Sequence, residues 1–388
     1  MSHQLQAVIA EITHRCPLHC VYCSNPLDMQ RRAAELSTDD WTAVFRQAAG
    51  MGALHLHLTG GEPLARADLQ ELVEAARSVH LYVNLITSGV GLDDRRLDAL
   101  IGAGLDHLQL SFQDVEEGAA NEFAGTRSHA LKLRIAEMIR RRRVAFTLNM
   151  VVHRRNLGRL TEMIAFAERT GAQRLEIAHV QYYGWALRNR DALLPSREQV
   201  RQSIDTVEAA RARLKGRLRI DFVLPDYYAK YPKPCMSGWG HQQMLIDPAG
   251  RALPCHAAGV IPGLEFANVK EQSLRSIWED SPALNRFRGE SWMPEPCRAC
   301  DRRARDFGGC RCQAFLLTGD ATATDPVCIL APSHPVVEDA LRRVNGSGES
   351  ANQEWVYRTD SSDKGPRTRD VGDQLPVIPF LTRKHQPR

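Results

Sequence analysis

No uninterrupted apolar run in this chain is long enough to cross a bilayer, which takes about 20 residues. Nor do Met1 to Glu11 carry a basic segment followed by an apolar core, so no secretory signal is read there and a cytoplasmic location is expected. An excess of one charge is also missing. The 50 Lys and Arg against 46 Asp and Glu leave a formal +4, too little to demand a polyanionic partner such as nucleic acid. Cysteine is absent from the whole stretch between Cys23 and Cys235.

That last gap divides the ten cysteines into two blocks. Cys16, Cys20 and Cys23 form the first; Cys235, Cys255, Cys297, Cys300, Cys310, Cys312 and Cys328 form the second. In a long chain with no signal they read as metal ligands or redox thiols rather than disulfides. Their segregation implies one metal centre on a first domain and more on a second.

At 388 residues, two domains are favoured over one, and 43% hydrophobic with 25% charged residues suits a globular chain with a real core. Short β-rich runs (7–12, 55–59, 83–87, 107–112, 146–151, 175–179) alternate with helical stretches (38–49, 69–79, 95–102, 131–142, 160–170). Such alternation gives βαβ units and an α/β fold with a parallel sheet, either open and doubly wound or a partial barrel; periodicity does not choose. One more helix is read at 195–213. From Pro225 the chain turns rich in Pro, Gly and Cys, with a closing helix at 335–343. The expected division is 1–216, then 217–344 organised as much by metal as by burial, then a disordered polar tail at 345–388.

The first block follows the first strand as His14-Arg15-Cys16-Pro17-Leu18-His19-Cys20-Val21-Tyr22-Cys23. Three thiolates leave one iron of a four-iron cubane open to a small ligand, whereas zinc prefers a closed tetrahedral set. Thr59-Gly60-Gly61-Glu62-Pro63 follows the second strand, where two glycines let backbone approach a ligand. Together these motifs resemble the radical S-adenosylmethionine superfamily. The resemblance implies a partial (β/α)6 barrel, and a 4Fe–4S cluster on Cys16, Cys20 and Cys23 as the catalytic centre. It implies a S-adenosylmethionine pocket formed by Tyr22, Gly60, Gly61, Glu62, Thr87, Ser88, Ser111 and Asn149, with Glu62 near the methionine amino group and Asn149 near the ribose.

The second block runs Cys235, Gly250, Cys255, then Cys297-Arg298-Ala299-Cys300, Asp306, Cys310, Cys312 and Cys328. This is similar to the SPASM iron–sulfur domain, with Asp306 standing where that pattern has a cysteine and Cys312 added. The resemblance implies two auxiliary Fe–S clusters. Cys235, Cys255, Cys310 and Cys312 would hold one, suited to 2Fe–2S by the tight Cys310/Cys312 pair. Cys297, Cys300, Asp306 and Cys328 would hold the other, a 4Fe–4S cluster. The competing readings are structural zinc and, for Asp306, a solvent-facing loop acid.

Longer stretches narrow the match. Leu108 to Asp114, Gln181-Tyr182-Tyr183-Gly184-Trp185-Ala186, Asn189 to Pro195 and Pro225-Asp226-Tyr227-Tyr228 resemble the PqqE family, the PqqA peptide cyclases of pyrroloquinoline quinone biosynthesis. That resemblance implies a radical oxidoreductase that joins a glutamate γ-carbon to a tyrosine ring in the PqqA peptide. The peptide would be presented by the chaperone PqqD, and a flavodoxin-like reductant would supply electrons. Tyr182, Tyr183 and Trp185 read equally as a substrate ring pocket and as a bridge between domains. His55 and His57 read as barrel lining before they read as a metal pair, and Arg140–Arg143 as a solvated helix end before a dock for an acidic carrier. The rival functions are another SPASM peptide maturase (thioether-forming or sulfatase-maturing), an RNA-modifying radical enzyme, and a non-catalytic metal scaffold.

Overall fold

The computed structural model describes residues 3–142, 144–235, 238–346, 354–358 and 369–370. In chain order the elements begin β1 (Ala7–Thr13), α1 (Thr38–Gly50), β2 (His55–Gly60), α2 (Leu69–Ser78), β3 (Tyr82–Thr87), α3 (Asp94–Gly102), β4 (His107–Phe112) and α4 (Glu117–Ala124). They continue β5 (Thr126–Arg127), α5 (His129–Arg142), β6 (Ala145–Val152), α6 (Leu160–Thr170), β7 (Arg174–His179), α7 (Gly184–Arg188), α8 (Arg190–Leu193), α9 (Arg197–Arg213) and β8 (Arg219–Val223). After β9 (Gln243–Ile246) and β10 (Ala252–Leu253) come α10 (Leu274–Asp280), α11 (Pro282–Asn285), α12 (Arg303–Asp306), α13 (Arg311–Thr318) and α14 (Pro335–Gly346), then β11 (Arg369–Asp370).

Among the described residues the main sheet has nine strands in the order β10-β9-β1-β2-β3-β4-β6-β7-β8, and β11 pairs with β5. Every pairing from β9 through β8 is parallel, and β10 alone is antiparallel. From β1 to β8 the strands follow chain order with no reversal. A doubly wound sheet reverses at a switch point, so this winding is the barrel one, left open at both edges. The six strands read from sequence are β1, β2, β3, β4, β6 and β7. β8 and β9 lie beyond the boundary expected at residue 216, yet they extend the same sheet.

The strands form where β-branched and aliphatic residues alternate. Leu56 and Leu58, Leu108 and Leu110, and Leu148 and Met150 are fully buried, in one core with Trp41, Val44 and Phe45 of α1 and Leu69, Leu72 and Val73 of α2. Each such side chain contributes about 1.5–3 kcal/mol. Local signals agree with that packing. Ser37 and Asp40 form a capping box on α1, and Ser196 and Gln199 form one on α9.

The opposite strand faces carry a polar ladder across the barrel. Asn84 Nδ2 meets His57 Nδ1 at 3.1 Å, His107 Nδ1 meets Asn84 Oδ1 at 2.7 Å, and Thr147 Oγ1 meets His107 Nε2 at 2.9 Å. His57 is therefore barrel lining. At the end of α5, Arg140 and Arg141 pair with Glu137, and Arg142 pairs with Asp94 and Asp98; Arg143 lies outside the described residues. Of the expected tail, residues 354–358 lie against the barrel: Trp355 Nε1 donates to Glu122 Oε1 and Val356 N–H to Asn189 Oδ1. The rest of that stretch beyond Gly346, apart from β11, lies outside the described residues.

Two buried histidines at the strand ends make stability pH-dependent. Burial, more than the neighbouring cations, holds His153 down to about 3, and burial lowers His179 to about 3 as well. Both folded values lie below the unfolded value of 6.5, so the unfolded chain takes up protons first. Stability should fall as the pH drops from 6.5 toward 3, by about 1.4 kcal/mol per pH unit for each histidine. Urea unfolding at pH 7, 6 and 5 checks this, and His153→Gln should remove one histidine's share of the slope.

Candidate active site

The first cysteine block occupies the loop that leaves the C-terminal end of β1, the end at which barrel enzymes place their chemistry. The loop is pinned on three sides. His19 and Val21 N–H groups donate to the carbonyls of Ala124 and Phe123 at the end of α4, at 2.8 and 3.0 Å. At the end of β2, Gly61 N–H donates to Thr13 O (2.7 Å) and Glu62 N–H to Arg15 O (2.8 Å). From the third side, Ala186 N–H donates to Cys23 O at 3.1 Å and Asn189 Nδ2 to Val21 O at 2.9 Å. Glycine is required at the second contact: a Cβ on Gly61 would sit 2.5 Å from the carbonyl oxygens of both His14 and Arg15.

Held this way, Cys16, Cys20 and Cys23 line one cavity of about 230 Å³ together with Tyr22, Gly60, Gly61, Thr87, Ser88 and Ser111. Trp185 and Arg358 also face it. Burial pushes the Cys16 thiol up to about 12 and Cys20 up to about 11, and it raises Cys23 as well. Thiols in that condition become thiolates only when positive charge arrives, as an iron cluster supplies. Backbone at Gly60 and Gly61, with the hydroxyls of Thr87, Ser88 and Ser111, offers the polar groups an amino-acid headgroup needs. The cavity thus suits an open-sided cluster and S-adenosylmethionine.

Two of the expected pocket residues stand differently. Glu62 is buried and absent from the cavity wall; its carboxylate accepts from Thr87 Oγ1 (2.6 Å), Ser88 N–H (2.8 Å), Ser88 Oγ and Leu64 N–H (3.0 Å). It therefore ties the ends of β2 and β3 together and fixes the two hydroxyls that do face the cavity. Asn149 pairs in register with Ser111 and is likewise absent from the wall. Sequence reasoning missed two cations. Lys132 is buried in α5 and donates to Ser111 O at 2.8 Å, and burial lowers it to about 8 against the opposing pull of Cys20, Glu62 and Cys16. The signal was there: His129, Lys132, Ile135, Ala136 and Ile139 share one helical stripe. Arg358 came from the polar tail, which has no periodicity to read.

The second block falls into two groups. Cys255 Sγ lies 3.8 Å from Cys312 Sγ, and Cys310 contacts both Cys235 and Cys312, so these four thiols form one group, buried at Cys235, Cys255 and Cys312 and half-buried at Cys310. Hydrogen bonds from Cys235 and Cys312 hold Cys310 well below the usual thiol range, making it the thiolate of the set. Tyr183 OH sits 3.0 Å from Cys310 Sγ. Cys297, Cys300, Asp306 and Cys328 line a second, smaller cavity. Asp306 is only 7% exposed, which does not fit a solvent-facing acid, and its Oδ1 accepts from Gly308 N–H at 3.1 Å. The turn that carries the chain from Asp306 to Cys310 needs glycine: a Cβ on Gly309 would meet Asp325 Oδ2 at 2.5 Å. Among the described residues no three His, Cys, Asp or Glu side chains gather closely enough for a single metal ion; what each set shares is a common cavity or buried group.

Gly61→Ala should displace the first cysteine loop, so that reconstituted protein binds about four fewer irons per chain by iron and sulfide assay. Tyr183→Phe removes a donor from Cys310, and loss of a hydrogen bond to a cluster sulfur lowers its potential. A cluster held by Cys310 should therefore show a more negative midpoint in an EPR-monitored redox titration of the Tyr183→Phe protein.

Residues 10–167 match the family model of the radical SAM superfamily, and residues 235–301 match an iron–sulfur cluster-binding domain, SPASM. The chain is 57% identical over 336 residues to a PqqA peptide cyclase of Gluconobacter oxydans, covering 86% of this chain and 93% of that one. It is 53% identical over 353 residues to a PqqA peptide cyclase of Methylobacterium nodulans, covering 91% and 93%. Among solved structures, Streptococcus suis SuiB bound to S-adenosylmethionine aligns with a TM-score of 0.71 at 18% identity, covering 84% of this chain and 78% of that one. anSMEcpe with bound AdoMet aligns at 0.60 and 16%, covering 87% and 96%. Those two likenesses bear on the fold, a partial barrel followed by a cluster-binding region; the curated relatives carry the closer kinship, and by them this chain belongs to the PqqA peptide cyclase family of the radical SAM superfamily.

Proposed function

We propose that this enzyme cross-links a glutamate to a tyrosine within the PqqA peptide, an early step of pyrroloquinoline quinone biosynthesis. The observation that carries the reading is the course of residues 182–185. Trp185 faces the cavity of Cys16, Cys20 and Cys23, while Tyr183, two residues away, meets Cys310 of the auxiliary group. One short loop thus joins the site where a radical would start to the site that would take up an electron.

Cys16, Cys20 and Cys23 would hold the cluster, whose chemistry is to pass one electron to S-adenosylmethionine and release methionine with a 5′-deoxyadenosyl radical. Gly60 and Gly61 would give backbone room for the methionine group, and Thr87 and Ser88 would bind it by hydroxyls that Glu62 orients. Asn149 and Ser111, paired in register, would serve the ribose. Overall, hydrogen leaves the glutamate γ-carbon, a C–C bond forms to the tyrosine ring, and the ring loses one electron and one proton as it regains aromaticity. The peptide is then two hydrogens lighter. The electron's acceptors would be the auxiliary clusters, on Cys235, Cys255, Cys310 and Cys312 and on Cys297, Cys300, Asp306 and Cys328. Asp306, a harder donor than thiolate, would set its cluster apart in potential. Trp185 Nε1 is buried with no partner among the described residues, so it is free to donate to the peptide. PqqD would present the peptide and a flavodoxin-like protein the first electron. Among the described residues no helix is long and apolar enough to cross a membrane, and the cytoplasm is the proposed setting.

The test is anaerobic. Reconstituted enzyme with S-adenosylmethionine, reductant, PqqA and PqqD should yield peptide lighter by two hydrogens, mapped by tandem mass spectrometry to a glutamate–tyrosine pair. Formation of 5′-deoxyadenosine with the peptide mass unchanged would overturn the substrate reading, and a modification on cysteine or serine would point to another SPASM maturase.

A further inference from the structure

Residues 354–358 belong to a polar stretch, yet four consecutive side chains or backbone groups anchor them over the first cysteine loop. Trp355 Nε1 donates to Glu122 Oε1 at 2.5 Å, and the Arg155 guanidinium lies 4.7 Å from its ring centroid. Val356 exchanges two hydrogen bonds with the Asn189 amide, at 2.8 and 2.9 Å, and the same amide holds Val21 O of the cysteine loop. Tyr357 OH donates to Glu122 O at 2.9 Å. Arg358 then reaches inward. Its Nη2 donates to the carbonyls of Cys16 (2.6 Å) and Leu18 (2.7 Å), and its own carbonyl meets His19 Nδ1 at 2.8 Å.

The Arg358 side chain lines the cavity of the three cysteines, and its Nε is buried with no acceptor among the described residues. A buried donor on a permanent cation calls for an anion. Three thiolates around an iron–sulfur core make a net anion, more so once reduced, and a fixed cation beside it favours the reduced state. The guanidinium fork suits both tasks at once, since it can clamp two carbonyls while keeping its charge toward the cavity.

We infer that Arg358, delivered by the strap 354–358, is a positioning residue of the radical centre: it clamps the Cys16–Leu18 backbone and sets the cation that raises the reduction potential of the cluster there. The inference rests on the reading that Cys16, Cys20 and Cys23 hold that cluster.

The experiment compares four full-length, anaerobically reconstituted proteins: wild type, Arg358→Ala, Arg358→Lys, and the double variant Trp355→Ala/Tyr357→Ala, which frees the strap but keeps the arginine. EPR-monitored redox titration follows the signal that changes on adding S-adenosylmethionine, with the auxiliary signals as the control for folding. In Arg358→Ala the midpoint should move to more negative values, and dithionite-driven release of 5′-deoxyadenosine should slow about tenfold, the worth of one charged hydrogen bond. Arg358→Lys should restore the midpoint but not the rate, because charge returns without the fork. The double variant should behave as Arg358→Ala. Loss of the responsive signal alone, with the auxiliary signals intact, would also support the clamp. An unchanged midpoint in Arg358→Ala would overturn the inference. A wild-type chain with no cluster on the three cysteines would overturn the site reading together with it.

Discussion

Buried thiols that need positive charge are the constraint around which this molecule is arranged. Burial raises every thiol of the first block, and in the second it crowds four sulfurs around a single favoured thiolate at Cys310. Hydrophobic residues would fill those positions at less cost. Such sites are retained where iron compensates the thiolates, and there cluster binding becomes part of folding. The 217–344 stretch shows the dependence best. Its helices are short, its turns are built on glycine, and its cysteines sit where aliphatic side chains would otherwise form the core.

Around the first block, charge is arranged in layers. Lys132 lies beneath, between Ser111 and the thiols; Arg358 lies to the side, against the Cys16 and Leu18 carbonyls. Among the described residues neither has a carboxylate partner in its hydrogen bonds, which is unusual for buried cations and costly unless an anion stands nearby. Glu62, a buried acid beside the thiols, already accepts from Thr87, Ser88 and Leu64. The groups those two cations face are the thiols of Cys16, Cys20 and Cys23.

The sequence made the βα order and both cysteine blocks legible, because each rests on local spacing; the sorting of the second block into two sets came from the family resemblance instead. Cys310 and Cys312 share a helix start, and Asp306 follows Cys300 at a fixed offset, so chain proximity alone brings them near. What escaped depends on long-range contact. Four residues at β9, in a stretch rich in Pro and Gly, pair with β1 only because the sheet offers them an edge. Glu62 stands in the motif where a ligand is expected, and only the fold shows that its oxygens are already taken. Trp355-Val356-Tyr357-Arg358 has no repeat and no periodicity; its meaning lies in Glu122, Asn189 and Cys16, all more than 150 residues away in sequence.

The pairing of β9 with β1 bears directly on how the two cluster regions cooperate. Because Ala7–Ala10 hydrogen-bonds β2 on one side and β9 on the other, the strand that launches the Cys16–Cys23 loop also fixes the start of the auxiliary region. Cys255 follows directly on β10, the next strand of that same sheet. Residues 182–185 close the circuit from the far side, with Gly184 pressed against Asn25 of the cysteine loop and Tyr183 against Cys310. Two cysteine regions connected at both ends by continuous backbone cannot drift apart as independent domains would, and any electron transfer between them would depend steeply on that separation. A shared sheet, rather than a linker, holds the Cys16–Cys23 loop and the Cys255/Cys310 group at one fixed distance.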